Sequence, residues 1–91
     1  MLTNQYTKDP SAVLDYAFNW ADWLATGETI TDHTITADTG ITVDSSTESD
    51  GKVTVWLSGG EVGEWYDVAC KITTSAGRMD ERTIHIHIEE R

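Results

Sequence analysis

Leu14-Asp15-Tyr16-Ala17-Phe18-Asn19-Trp20-Ala21-Asp22-Trp23-Leu24 changes hydrophobic period in its middle, and its reading decides the fold. In the first half Leu14, Tyr16, Phe18 and Trp20 alternate with Asp15, Ala17 and Asn19. A period of two puts the apolar side chains on one face of a strand. Trp20, Trp23 and Leu24 then fall at i, i+3 and i+4, which is helical spacing. The Asn19 side chain is expected to cap that turn by accepting the N–H of Asp22, itself an acid suited to a first turn. Gly27 supplies a left-handed exit. A strand thus runs into a short helical turn near residues 20–26, and the aromatic surface gathered there needs a sheet to pack against.

Outward from this stretch, residues 1–11 read as an extended N-terminal arm or edge strand. Pro10 holds Asp9 out of the helical region and lacks a backbone donor, which suits an edge better than a sheet centre. The first full strand is expected over residues 12–19. After Gly27-Glu28 comes a β-branched run over 29–37, where the alternation slips between Ile30 and His33, the mark of a bulge. Asp38-Thr39-Gly40 is a turn, and Ile41 and Val43 begin a short strand. Residues 44–51, Asp-Ser-Ser-Thr-Glu-Ser-Asp-Gly, are small and polar and close on Asp-Gly, a strong turn signal.

Val53, Val55 and Leu57 then alternate with Lys52, Thr54 and Trp56, so Trp56 points away from the valines. Over 65–73, Tyr66, Val68, Cys70 and Ile72 face in while Trp65, Asp67, Ala69 and Lys71 face out. A loop at 74–77 leads to a last strand over about 79–89, with Ile84, Ile86 and Ile88 inward and His85 and His87 outward. Short alternating strands separated by Gly, Asp and Ser turns predict an all-β fold. The expected architecture is an immunoglobulin-like antiparallel β-sandwich of about seven strands, one domain over residues 12–91. Tyr66, near the start of the penultimate strand, is placed like a tyrosine corner, although the cysteine spacing of antibody domains is missing.

Ninety-one residues make one modest core, burying about 60–65% of the unfolded surface. A single cysteine excludes an internal disulfide, and no apolar run suggests a signal peptide or membrane span. Six basic against sixteen acidic residues give a net charge of −10. That field repels nucleic-acid phosphates and anionic membranes and favours a solvated coat or a basic partner.

Catalytic and metal chemistry find little support. His85 and His87 share a strand face, and His33 would have to complete a zinc site. Asp44, Ser46, Glu48 and Asp50 are spaced like a calcium loop, but Ser49 stands where glycine is needed and Val55 where the closing glutamate belongs. Cys70 faces inward, as a small hydrophobe. No nucleophile elbow, phosphate loop or His-Glu-x-x-His motif is present, so neither an enzyme nor a cofactor is expected. The aromatic residues carry more: Trp56 and Trp65 face away from the core by parity, as interface tryptophans do. With Tyr6 and Lys8 of the arm, where an extended strand can add to a neighbour's sheet, they form the candidate interface.

Lys8-Asp9-Pro10-Ser11-Ala12-Val13-Leu14-Asp15-Tyr16, Asn19-Trp20-Ala21-Asp22-Trp23-Leu24, Gly27-Glu28-Thr29-Ile30, Val55-Trp56-Leu57-Ser58-Gly59-Gly60 and Ile72-Thr73-Thr74-Ser75-Ala76-Gly77-Arg78 with Asp80-Glu81-Arg82 together resemble a family of small structural proteins of tailed bacteriophages. Its members are described as immunoglobulin-like head decoration proteins or fibre–tail adaptors; Asn19 replaces an expected aspartate and keeps the cap. The resemblance implies a non-enzymatic virion protein made in the bacterial cytoplasm, foremost a capsid decoration protein on the major capsid protein lattice. A head–tail or fibre–tail adaptor is the alternative, and a surface carbohydrate-binding module a further one. The implied partners are the major capsid protein or tail and fibre subunits, with a homo-oligomer in the virion and neither nucleic acid nor membrane.

Overall fold

Each alternating segment becomes a strand. The computed structural model describes residues 4–90, so residues 1–3 of the expected arm and residue 91 of the expected domain lie outside the described residues. The strands are β1 (Gln5–Lys8), β2 (Leu14–Asn19), β3 (Ile30–Ala37), β4 (Ile41–Ser49), β5 (Lys52–Gly59), β6 (Trp65–Thr74) and β7 (Met79–Ile88). They form two sheets, in the orders β1-β7-β6-β3 and β2-β5-β4. All pairs are antiparallel except β1 with β7. The result is an all-β sandwich whose strand order is consistent with the immunoglobulin-like expectation, with its first strand laid on the sheet opposite β2.

Side-chain parity fills the space between the sheets. Val53, Val55 and Leu57 of β5 meet Val68, Cys70 and Ile72 of β6 and Ile86 and Ile88 of β7, all with no exposed surface. The slip in the β-branched run is a bulge, where the β3–β6 register shifts between Ile30 and Asp32.

Two local readings change and one becomes specific. Within the segment read as an arm or edge strand, Gln5–Lys8 forms an edge strand beside β7, and the chain then turns at Asp9–Ala12, whose ends share a 3.0 Å hydrogen bond. The polar run at 44–51 is strand through Ser49, with a second bulge between Val43 and Ser45. β4 lies at a sheet edge, where polar residues satisfy the pleat without filling the core. Only Asp50 and Gly51 turn, both at positive φ (52° and 83°), as a two-residue hairpin requires. Finally, the helical spacing at Trp20 yields a single turn, with the Trp23 and Leu24 N–H groups both donating to the Trp20 carbonyl (2.9 and 3.0 Å). Asn19 Oδ1 caps it through the Ala21 N–H at 2.9 Å rather than that of Asp22.

That turn closes one end of the sandwich. Trp20 is fully buried, stacked on Phe18, and its indole N–H donates to Asp80 Oδ2 at 2.8 Å. The Arg82 guanidinium lies 4.7 Å above the Trp20 ring and donates to the Asn19 carbonyl. Beside it Arg78 covers Trp23 at 3.8 Å and grips Glu28 with two nitrogens, at 2.7 and 3.0 Å. The Arg78 guanidinium first, then the Thr74 hydroxyl and the Ala25 N–H, hold the Glu28 carboxyl down at about 2. A depressed carboxyl contributes stability above its unfolded pKa and loses it as pH falls toward the folded one. In urea titrations the stability gap between the native protein and Glu28→Gln is therefore expected to hold above about pH 5 and to shrink toward about pH 2. A gap that ignores pH would refute this role.

At the other end Tyr66 makes the expected corner: its hydroxyl accepts the Glu61 N–H at 3.0 Å, and its ring packs against Gly40.

Candidate interaction surfaces

Outward parity delivers Trp56 and Trp65 to the surface, 42% and 51% exposed. They do not form one patch. β5 and β6 belong to different sheets, so the two indoles stand on opposite outer faces of the sandwich. Trp56 sits in register with Asp15 of β2 on one side and Ser45 of β4 on the other. Trp65, opposite His87 in the ladder, stacks on that imidazole at 4.5 Å. An open cleft of about 480 Å³ beside Trp65 is lined with the acids Asp38, Glu61 and Glu64.

Tyr6 and Lys8 separate from this pair. Tyr6 is exposed and meets Tyr16 edge-on at 5.0 Å. Lys8, expected to face a partner, has no exposed surface; its ammonium donates to the Gly59 carbonyl at 2.8 Å and the Asp9 carbonyl at 2.9 Å. Burial pushes its pKa below the usual lysine value, against the opposing pull of the Asp9 and Asp44 carboxylates. An ammonium placed to tie β1 to the end of β5 works for the fold.

The histidines and acids singled out by spacing are not gathered. His33 turns inward across the β3–β4 side to Ser46 Oγ (3.1 Å), whereas His85 and His87 lie on the outer face, His85 Nδ1 at 2.7 Å from Asp67 Oδ1. Asp44 accepts the Ser58 hydroxyl and Glu48 accepts the Gly51 N–H, so each serves its own hairpin. Among the described residues no group of three or more His, Cys, Asp or Glu side chains is placed to hold a metal. Burial, and secondarily the Glu81 charge, push the Cys70 thiol up to about 12. Native protein at about pH 8 is expected to react with a thiol reagent about 1,000-fold more slowly than unfolded protein, because reaction follows the thiolate fraction. Equal rates with and without denaturant would place Cys70 outside the core.

Parity missed Val13, Leu14, Val62 and Met79, all exposed apolar residues. Leu14 is instructive: it pairs with buried Leu57 and so faces inward, yet is 40% exposed. Its cover would be a strand beside β2, and β1 has gone to the other sheet. No periodicity signals that crossing.

No curated protein sequence matches the chain. The Gp77 family, described as podophage GP4 fiber-tail adaptor protein gp77, matches residues 8–87. The match begins on the last residue of β1 and ends on the penultimate residue of β7, so it spans both sheets and both tryptophan faces. The chain therefore belongs to the Gp77 family and is a structural protein of a tailed bacteriophage.

Proposed function

We propose that the protein is a fibre–tail adaptor, a non-enzymatic link that holds a tail subunit and a fibre subunit together in the virion. The family match over residues 8–87 carries this reading, and it supports the adaptor alternative better than capsid decoration. The fold agrees, because a link needs two separate contact surfaces and the sandwich offers one exposed tryptophan on each outer face. Tryptophans centred on an interface supply much of its energy. Trp56 and Trp65, with Tyr6 at the open edge, are the contacts assigned to it; the buried ammonium of Lys8 is not. Its net charge of −10 keeps the chain apart from its own copies in the host cytoplasm and suits basic partner surfaces.

Cryo-electron microscopy of purified particles tests the reading by copy number and place. A small ring of copies where fibres join the tail is the expected result. Copies spread over the shell at the count of the major capsid protein would restore the decoration reading, and absence from the particle would sink both.

A further inference from the structure

Among the described residues four strands lie at sheet edges, and three of them are blunted. β4 is polar and bulged, β3 is bulged between Ile30 and Asp32, and β1 has only four residues. Short length, bulges and polar composition are the ways sheets keep foreign strands from adding. β2 has none of these. Its six residues pair with β5 in unbroken register, include neither proline nor lysine, and have no strand on their other side among the described residues.

The side chains along that edge are also incomplete. Leu14 faces inward but is 40% exposed, and Val13 beside it is more exposed still. Tyr16 is more than nine-tenths buried, yet its hydroxyl has no hydrogen-bond partner among the described residues. A buried hydroxyl without a partner costs on the order of 1–3 kcal/mol, so native structures rarely keep one without use. On the outer side Asp15 stands directly opposite Trp56, a carboxylate beside an indole face. That pairing suits a guanidinium, which can bond the acid and stack on the ring.

We propose that the β2 edge is the docking site for an extended segment of a neighbouring tail or fibre subunit, which adds as a strand beside Leu14–Asn19. The segment carries an apolar residue over Leu14 and a hydrogen-bonding group in reach of the Tyr16 hydroxyl, alternating with Arg or Lys toward Asp15 and Trp56. A second copy of this chain is the poorer occupant, because each copy carries −10 and an acidic edge suits a basic segment better than a second acidic one. The N-terminal strand of a second copy is engaged as well, since β1 is already paired with its own β7. Choosing a tail or fibre subunit as the partner rests on the adaptor reading.

Amide hydrogen exchange, read by mass spectrometry on the free protein and on tails isolated from particles, tests the proposal. Exchange across residues 14–18 is expected to slow by about 100-fold or more in the tail, as it does when amides enter a ladder. Presence in the tail with exchange unchanged would overturn the edge proposal and leave the adaptor reading standing, whereas absence from the tail would remove the adaptor reading and this partner with it. Slow, concentration-dependent exchange in the free protein would overturn the proposal in favour of a second copy. Asp15→Lys, at an exposed site, is expected to lower incorporation into tails by about tenfold or more with unchanged thermal stability. Thr36→Lys, on the bulged β3 edge, is expected to incorporate normally; equal incorporation of both variants would count against a basic partner at β2.

Discussion

Trp20→Ala is expected to lower the melting temperature by about 20 °C or more, the largest effect of any single truncation in the molecule. The indole is fully buried, and removing a buried tryptophan costs about 3–5 kcal/mol through lost transfer energy and the cavity left behind. Two further losses fall on the same site. Asp80 loses the indole N–H it accepts at 2.8 Å, and Arg82 loses the ring beneath its guanidinium. In a domain whose whole stability is about 5–15 kcal/mol, that is enough to leave a measurable unfolded fraction at physiological temperature. Trp20→Phe separates the contributions, since it keeps most of the apolar area and loses the N–H. Its expected cost is about 1–3 kcal/mol, and thermal melts of the two variants side by side check the division. Equal losses would mean that the hydrogen bond to Asp80, not the volume, holds this end of the sandwich.

Gly40→Ala should be nearly as damaging, at about 2–4 kcal/mol, although it adds one methyl group. Gly40 holds a φ of 111°, where a side chain is strained, and its new Cβ would stand 2.7 Å from Cε1 of Tyr66. The ring cannot retreat without giving up the corner, because its hydroxyl is fixed on the Glu61 N–H. Gly63→Ala is the matched control: its φ is 89°, but nothing lies within 4 Å of the added carbon, so it bears backbone strain alone. Its expected cost is about 1 kcal/mol. Chemical denaturation of both variants, and of Gly40→Ala combined with Tyr66→Leu, checks the assignment, since shortening residue 66 should recover part of the Gly40 penalty. No recovery would locate the damage in the backbone.

What could be read from the chain follows from where the core makes demands. Strands β5, β6 and β7 line both sides of the core, so Val53 to Leu57, Tyr66 to Ile72 and Ile84 to Ile88 had to alternate, and their parity also delivered the outward tryptophans. The β3 bulge was visible for the same reason, as a break in that alternation. At the edges the demand relaxes. Asp44 to Ser49 can be strand without apolar residues, and so it resembled a loop. Lys8 could not be placed because the two carbonyls that accept its ammonium come from its neighbour Asp9 and from Gly59, 51 positions away. That Trp56 and Trp65 stand on opposite faces also depends on which strands share a sheet, and alternation within a strand carries no such information.

The parallel pairing of β1 with β7 also has a consequence in time. Gln5–Lys8 emerges from the ribosome among the first of the described residues, but the ladder that receives it runs from His85 to Ile88, among the last. During synthesis the early strand has no site to occupy, and β6, flanked in the finished sheet by β3 and β7, lacks one of its neighbours as well. Contacts so far apart in sequence make folding slow, and unpaired strands are exposed while they wait. Folding of this sandwich is thus a late event, completed only when its seventh strand is free. The acidic coat that keeps finished molecules apart would do the same for chains still waiting for that strand.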